Sequence, residues 1–492
     1  MPFETKIEIP PLRGMYAEPW SLAKIAKLLG SFGPAAVVAS LSIGAGETIM
    51  VTGLGAWAGY GLLWLLVLSV IVKSGFVTYM IGRYTAVTGQ LIGHRLVMLP
   101  GPRGWLLLTI VVVEISLISM GLTTLAKPCG NLITFVLWDA LPHSLSFGTW
   151  ENLWSMGLIG LALACGLLSS YSALERQQII ICGILVTGTL VALAIVRPNL
   201  PELVRGAVRF SHLPAAGAWA PAAAREYYFL NLVTVFGFIG GSLSGYLAYS
   251  NWITLHGWGL ASHPEIDEIR ARASQHRRIR YLPDEPAQAA RLRALLAPLH
   301  WDIAIGAAVL MIVTAAFLTS GAEVLYPRKQ VLSGDAFELL TKQASIWRHI
   351  HVVLVPVYYV VVVAALWGTM ATVPEAICRV AHDFLGAIWP RFRAVSLRRF
   401  QLVMSAWFFL TSLIWIWNGI TFDLMTQIGA FLTLNLGVGI VCLAAVYFNA
   451  TLPRLYRPHL LTLIGGTLSG MILLACAAVS AWGLWQKMAA QL

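Results

Sequence analysis

Charge is what this sequence has least of. Of its 492 residues only 11% are Asp, Glu, Lys or Arg, against 58% hydrophobic, and the mean hydropathy is +0.75. A soluble domain carries about a quarter charged residues, so a water-soluble globular chain is excluded. Cysteines are few and scattered: Cys129, Cys165, Cys182, Cys378, Cys442 and Cys476, with no CxxC or Cys/His cluster. Neither a zinc site nor a disulfide framework follows from that spacing, and small core residues do. No GxxxxGK[ST] loop is present, so ATP does not drive the protein directly. A clustered nucleophile and base are also missing, which argues against an enzyme. The net charge of +11 would suit nucleic acid in a soluble protein. In a membrane protein it reads as basic loops held on the cytoplasmic side. Among the 19 tryptophans, Trp64, Trp105, Trp301, Trp389 and Trp482 flank apolar runs. That is the placing of interface anchors, not of a base-stacking platform.

The chain reads as an all-α integral membrane protein. A span needs about 20 apolar residues, and about eleven such runs are present. They lie near 32–57, 61–81, 104–126, 153–170, 178–197, 227–251, 302–320, 350–373, 400–420, 424–448 and 460–485. Residues 1–30 hold acids and prolines and no short apolar core with a cleavage site. They predict a cytoplasmic N-terminal segment rather than a signal peptide. Residues 31–486 then form one transmembrane domain, with a first repeat at about 31–197, a second at about 227–448 and an extra helix at about 460–485. Arginines follow the even-numbered spans: Arg83, Arg95 and Arg103, then Arg176, the stretch from Arg270 to Arg293, Arg391 to Arg399, and Arg454 with Arg457. The other side carries fewer, among them Lys127, Arg205 and Lys329, offset by Glu202 and Glu323. This asymmetry predicts N-inside, C-outside, in a bacterial-type cell or inner membrane. The polar stretch His256–His300 reads equally as a surface amphipathic helix or a solvated loop.

The first span, FGPAAVVASLSIGAGETIMVTGLGAW, breaks its apolar run with Gly44, Ala45 and Gly46 and then an acid, Glu47. Lipid solvates neither a free backbone nor a carboxylate, so this centre must face protein or water. The sixth span repeats the pattern with Gly240, Gly241, Ser242, Ser244 and Gly245. Close helix packing on small residues would produce one such span. Two at matching places predict broken helices in an inverted-repeat transporter, with the substrate site between them. Glu47 suits direct contact with a cation, and also the positive N-terminal end of the half-helix that follows it.

Other acids fall within spans. Glu114 sits mid-span, predicted to be protonated or paired, as a proton relay or a structural ion pair. Glu375 lies four residues before Arg379, the spacing of a helical salt bridge. Asp302 and Asp423 open spans seven and ten and read as acids at their own helix N-termini. No histidine lies mid-span in spans one or six, which argues against a histidine metal site.

The strings GPAAVVAS, SIGAGETIM, GYGLLWLLVLS and TAVTGQ resemble the opening of the Nramp divalent-metal transporters. Gly59, Tyr60, Leu62, Leu63 and Trp64 match that family's Gly-Tyr-x-Leu-Leu-Trp stretch. The resemblance implies a LeuT-like 5+5 inverted repeat plus one helix, with broken first and sixth helices. Aligned on this stretch, the family's Asp-Pro-Gly-Asn motif falls on Gly44, Ala45, Gly46 and Glu47, and its Met-Pro-His motif on Ser242, Leu243 and Ser244. The family aspartate is thus a glycine, and the span-six methionine is absent. The family also pairs span-three acids with basic residues of span nine, which implies a network of Glu114 with Arg398 and Arg399.

The expected site is therefore Gly44, Ala45, Gly46, Glu47, Gly240, Gly241, Ser242 and Ser244, with Glu47 and Ser242 as metal ligands. Carboxylate, hydroxyls and freed carbonyls suit hard ions such as magnesium or manganese. The expected function is secondary transport of a divalent cation by alternating access, coupled to protons. No tightly bound cofactor is expected; the cation is the transported substrate. The expected partners are the lipid bilayer, a small cationic substrate and protons, with no nucleic acid. Two alternatives stand beside this: an ion-coupled carrier of a small amine or amino acid, and a transport-inactive sensor or scaffold.

Overall fold

The computed structural model describes residues 6–490 except 45, 170, 211, 274–278, 330–339, 341–343, 345–346 and 349–350. Ala45, and the side chain of Glu47, lie outside the described residues. The described secondary structure is helical throughout. A short amphipathic helix, α1 (Leu22–Leu29), precedes the first span and is capped by Ser21, whose hydroxyl accepts from Lys24 N at 3.2 Å.

Both glycine-rich spans are broken. The first runs as α2 (Pro34–Ser42), leaves helical geometry at Ile43, and resumes as a π-helical turn (Gly46–Val51) followed by α3 (Thr52–Ala58). Pro34 suits a helix start because its missing N–H would have no partner there. The chain continues as α4 (Leu63–Ser69), a π-helical stretch (Val70–Val77), α5 (Thr78–Thr88) and the short α6 (Ile92–Leu96). Next come α7 (Trp105–Leu137), α8 (Phe147–Leu168), α9 (Tyr171–Val196), α10 (Leu200–Val208) and α11 (Ala222–Glu226). The sixth span is α12 (Tyr228–Phe238) and α13 (Leu243–Leu255), separated by four residues with Gly240 at φ +102°. That backbone conformation is closed to side-chain-bearing residues. A Cβ on Gly240 would also lie 2.7 Å from Lys73 Cβ. Gly240→Ala is therefore expected to cost about 1–3 kcal/mol, read as a lower unfolding temperature of the purified protein.

Ten described helices are long and apolar enough to cross a membrane, where the sequence predicts about eleven. The difference lies in Thr48–Thr88, a continuous run of 41 residues. At 1.5 Å per residue it would be about twice the bilayer's thickness. The run turns back at Gly59, whose φ is +58°. Gly55 packs on Gly321 while Tyr79 stacks on His300, at opposite ends of α16 (Ala297–Ser320).

Burial separates inner from outer helices. In the most apolar window of Tyr228–Leu255, 83% of residues are buried, against 22% in Ser172–Val196 and 28% in α8. The broken sixth span is thus the enclosed one. Exposed Leu161, Leu190, Leu410 and Trp482 mark faces turned to lipid. After α16 the chain continues as α17 (Leu354–Ile388), α18 (Leu397–Trp417), α19 (Phe422–Gly429), a π-helical stretch (Ala430–Gly437), α20 (Val438–Ala450) and α21 (Leu460–Ala489).

Of the two alternatives for 256–300, the described residues take the helical one: α14 (Ile266–Ala273) and α15 (Pro286–Leu295) form, Tyr281, Leu282 and Leu292 are buried, and the stretch binds the N-terminal segment. Ile7 N donates to Tyr281 O at 2.9 Å and Arg291 Nη1 to Ile9 O at 3.1 Å. Lys127 is not a loop residue: it lies in α7, with Nζ 3.1 Å from Glu151 of α8. The Glu375–Arg379 helical pair forms as expected, with Arg379 Nε donating to Glu375 Oε1 at 2.8 Å.

Candidate functional site

The two breaks meet. A side chain at Gly46 would run into Phe238, the last residue of α12. Around this meeting point lies a cavity of about 130 Å³, lined by Gly44, Gly240, Ser242, Ser244 and Glu114, with Thr369 of α17 and Thr426 of α19. A water needs only about 10–15 Å³ measured this way, so there is room for several. Thr369 Oγ1 reaches Ile43 O at 3.4 Å, tying α17 to the first break. Gly44 O accepts from both Thr48 N at 3.1 Å and Thr48 Oγ1 at 2.9 Å.

Ser242 is the N-cap of α13, its hydroxyl accepting from Gly245 N at 3.3 Å. Its Oγ lies 3.1 Å from Ser244 Oγ, and both serines line the same cavity as Glu114. Gly241 N donates to Tyr246 OH at 2.8 Å, which fixes the backbone just before the cap. Glu114 is buried at 5% exposure, and its Oε1 has no hydrogen-bond partner among the described residues. The acid thus faces the positive end of the α13 helix dipole.

Glu114 was expected to be tied to Arg398 and Arg399. The structure does not bring them together. Both arginines are exposed on the first turn of α18. Ser412 Oγ of α18 donates to Ser119 O of α7. By rise per residue, Glu114 lies about 7.5 Å before that crossing and Arg398 about 21 Å before it. The two helices start at the same end of α17, since Gly104 packs on Ile388 and α18 follows directly after. The level mismatch is therefore about 13 Å.

Asp302 has a different role from the one its position suggests. It does not serve its own helix. It is fully buried, and its carboxylate accepts from Gly33 N at 3.0 Å, from Ala35 N at 3.1 and 3.0 Å, and from Tyr249 OH at 2.9 Å. It caps α2, the first half of the first span.

Sequence reasoning missed Lys73. This side chain is fully buried in the π-helical stretch of the second span, and Nζ donates to Gly237 O in the last turn of α12. One turn earlier, Ser69 Oγ donates to Phe236 O at 2.8 Å and to Ile239 O at 2.9 Å. Three carbonyls at the sixth-span break, those of Phe236, Gly237 and Ile239, are thus taken by these two side chains. The available signal was a lysine in the middle of VIVKSGFV, which the rule applied to mid-span acids would have caught.

The cavity also holds the thioethers that span six lacks, since Met120 of α7 and Met425 of α19 line it. Among the described residues no group of three or more His, Cys, Asp or Glu side chains converges. Glu47 backbone lies in the π-helical turn after the first break.

The Nramp model, described as natural resistance-associated macrophage protein-like, matches residues 35–484. Among solved structures, a manganese transporter of Eremococcus coleocola, in complex with an aromatic bis-isothiourea substituted compound, is 14% identical with a TM-score of 0.61. That match covers 96% of this chain and 95% of the other. A mutant of the same transporter is 13% identical with a TM-score of 0.62, covering 99% and 96%. No curated protein sequence is a match. The fold is the LeuT-like arrangement of broken first and sixth spans that the resemblance implied. With the family model running over nearly all of its length, the chain belongs to the Nramp family.

Proposed function

We propose that this chain is a secondary transporter that moves a divalent cation, of the hard class such as magnesium or manganese, by alternating access. The observation that supports it is the meeting of two broken spans around one cavity, with Glu114 beside the α13 N-terminus. The proposed site is Gly44, Ala45, Gly46, Glu47, Gly240, Gly241, Ser242 and Ser244. Glu47 follows the first break and supplies the carboxylate ligand, and Ser242 a hydroxyl. Glu114 is the proposed proton carrier, since a buried acid with an unpartnered oxygen binds a proton readily. The N-terminus is proposed to be cytoplasmic and the C-terminus outside.

The size and mainly apolar lining of the cavity favour a second reading, a small organic amine as cargo. Uptake into proteoliposomes separates the two. Manganese or magnesium flux that falls at least about tenfold, or 1.4 kcal/mol, in Glu47→Gln supports the first. Amine flux without metal flux supports the second. Equal metal flux in wild type and Glu47→Gln removes Glu47 from the mechanism, and ligand binding without any flux favours a sensor.

A further inference from the structure

A second cavity, of about 960 Å³, lies apart from the site, where three connecting segments meet. It is lined by His94 of α6, Arg103 just before α7, Asp267 and Arg270 of α14, and Arg393 of the turn Pro390–Ala394. These segments join span two to three, six to seven and eight to nine. They are packed together: a side chain on Gly93 would run into Phe384, Asn251 Nδ2 donates to Asp383 Oδ2 at 2.8 Å, and Arg270 Nε donates to Gly89 O at 2.6 Å.

The charge balance is uneven. Three guanidinium groups converge on one concavity with a single lining carboxylate, Asp267, which sits 3.4 Å from Arg270 Nη1. Asp383 also acts on Arg270 from behind. Arg270 Nη2 is buried and has no hydrogen-bond partner among the described residues. A solvated basic rim would let its cations spread apart, since like charges repel. Here the half-buried Arg270 lines the same concavity as the exposed Arg103 and Arg393. His94 shows the field: burial first, then the charges of Arg393 and Arg270, push it down to about 4, so it stays neutral.

The depth of the cleft is marked as well. Trp105 follows Arg103 closely and is 44% exposed, and Trp389 precedes Arg393 and is 50% exposed. Exposed tryptophans at span ends sit at the level of lipid headgroups. Basic pockets at that depth between spans bind phosphate headgroups.

We propose that this cleft binds a phosphate-bearing anion, an acidic phospholipid headgroup or free phosphate, and that the bound anion ties the three connecting segments together. Arg270 offers its unpartnered Nη2, since Nε is held by Gly89 O and Nη1 by Asp267. Arg393 Nε donates to Gly386 O at 3.1 Å, which leaves its two terminal nitrogens, and with Arg103 these N–H donors suit phosphate oxygens. Asp267, the lining carboxylate among the described residues, is offset by its pairing with Arg270, and Asp383 lies outside the lining. Because the three segments belong to different pairs of spans, a bound anion holds those pairs in one relative arrangement.

The test uses the purified full-length chain. Native mass spectrometry measures phospholipid retained from phosphatidylglycerol or phosphatidylcholine nanodiscs. Equilibrium dialysis measures binding of inorganic phosphate alone. NMR of histidine-labelled protein follows the His94 titration. With about 1 kcal/mol for each arginine at a membrane surface, Arg103→Gln with Arg393→Gln is expected to lower retention of phosphatidylglycerol about 30-fold. Arg393→Lys is expected to keep most of it, and Arg103→Gln alone, on an exposed side chain, gives a variant that leaves packing intact. Selective loss of phosphatidylglycerol identifies a lipid site. Selective loss of inorganic phosphate binding identifies a soluble-anion site. In either case the His94 titration moves up when the anion binds. Equal retention and equal phosphate binding in wild type and variants, or a His94 titration that neither probe moves, overturns the proposal.

Discussion

Replacing Asp302 with alanine is expected to cost at least about 3 kcal/mol and to leave little folded protein. The carboxylate is the shared acceptor for Gly33 N, Ala35 N and Tyr249 OH, all in a fully buried setting. Truncation strands three donors with no acceptor. A buried donor without a partner costs about 1–3 kcal/mol, so the sum approaches the whole stability of many domains, about 5–15 kcal/mol. Asp302→Asn keeps one acceptor oxygen and turns a donating amide toward the other donors. It is expected to lose less, yet to stay well below wild type. Thermal unfolding in detergent, followed by the monodisperse fraction on gel filtration, checks both. Wild-type stability in the alanine variant would show that α2 is not held by this carboxylate.

Lys73→Met is expected to cost about 1.5–3 kcal/mol, the worth of a hydrogen bond to a charged group. Methionine keeps the apolar stem that packs beside Gly240, and removes only the ammonium that meets Gly237 O. The last turn of α12 then keeps Ser69 as donor to Phe236 O and Ile239 O, but loses the cation at its negative end. Lys73→Arg keeps the charge but adds volume at a fully buried position. Amide hydrogen exchange over residues 235–242 is expected to speed up in the methionine variant, alongside slower cation uptake. Unchanged protection together with unchanged uptake would mean that the ammonium has no part in shaping the sixth-span break.

How much of this was legible in the sequence depends on the range of each interaction. Both breaks were, because glycine inside an apolar span is a local signal, and Gly240 with its positive φ is where that signal is strictest. The Glu375–Arg379 pair was too, since it spans one helical turn. Asp302 was misread because its partners lie 267 and 269 residues away. Nothing in the nearby sequence tells a helix-start acid from one that caps a different helix. The Glu114–arginine network failed on geometry: two helices may touch while the charged residues on them sit at different heights. Ser242 and Ser244, which line the same cavity as Glu114, were visible as small polar residues, but nothing local placed them beside an acid on another span. Lys73 was legible, since a base in the middle of an apolar span needs a partner as much as an acid does. The thioethers at the cavity come from spans three and ten, which carry no motif that would announce them.

The carboxylate of Asp302 also has a mechanical meaning. It fastens the start of α2 to α16 and, through Tyr249, to α13. These three pieces are therefore tied at one point. Rocking between inward-open and outward-open shapes is expected to carry them together. Bending is then left to the joints at Ile43 and Gly44 and at Ile239 to Ser242, beside the proposed cargo chamber. A guest that stiffens or loosens those joints would set the ease of the swing from within.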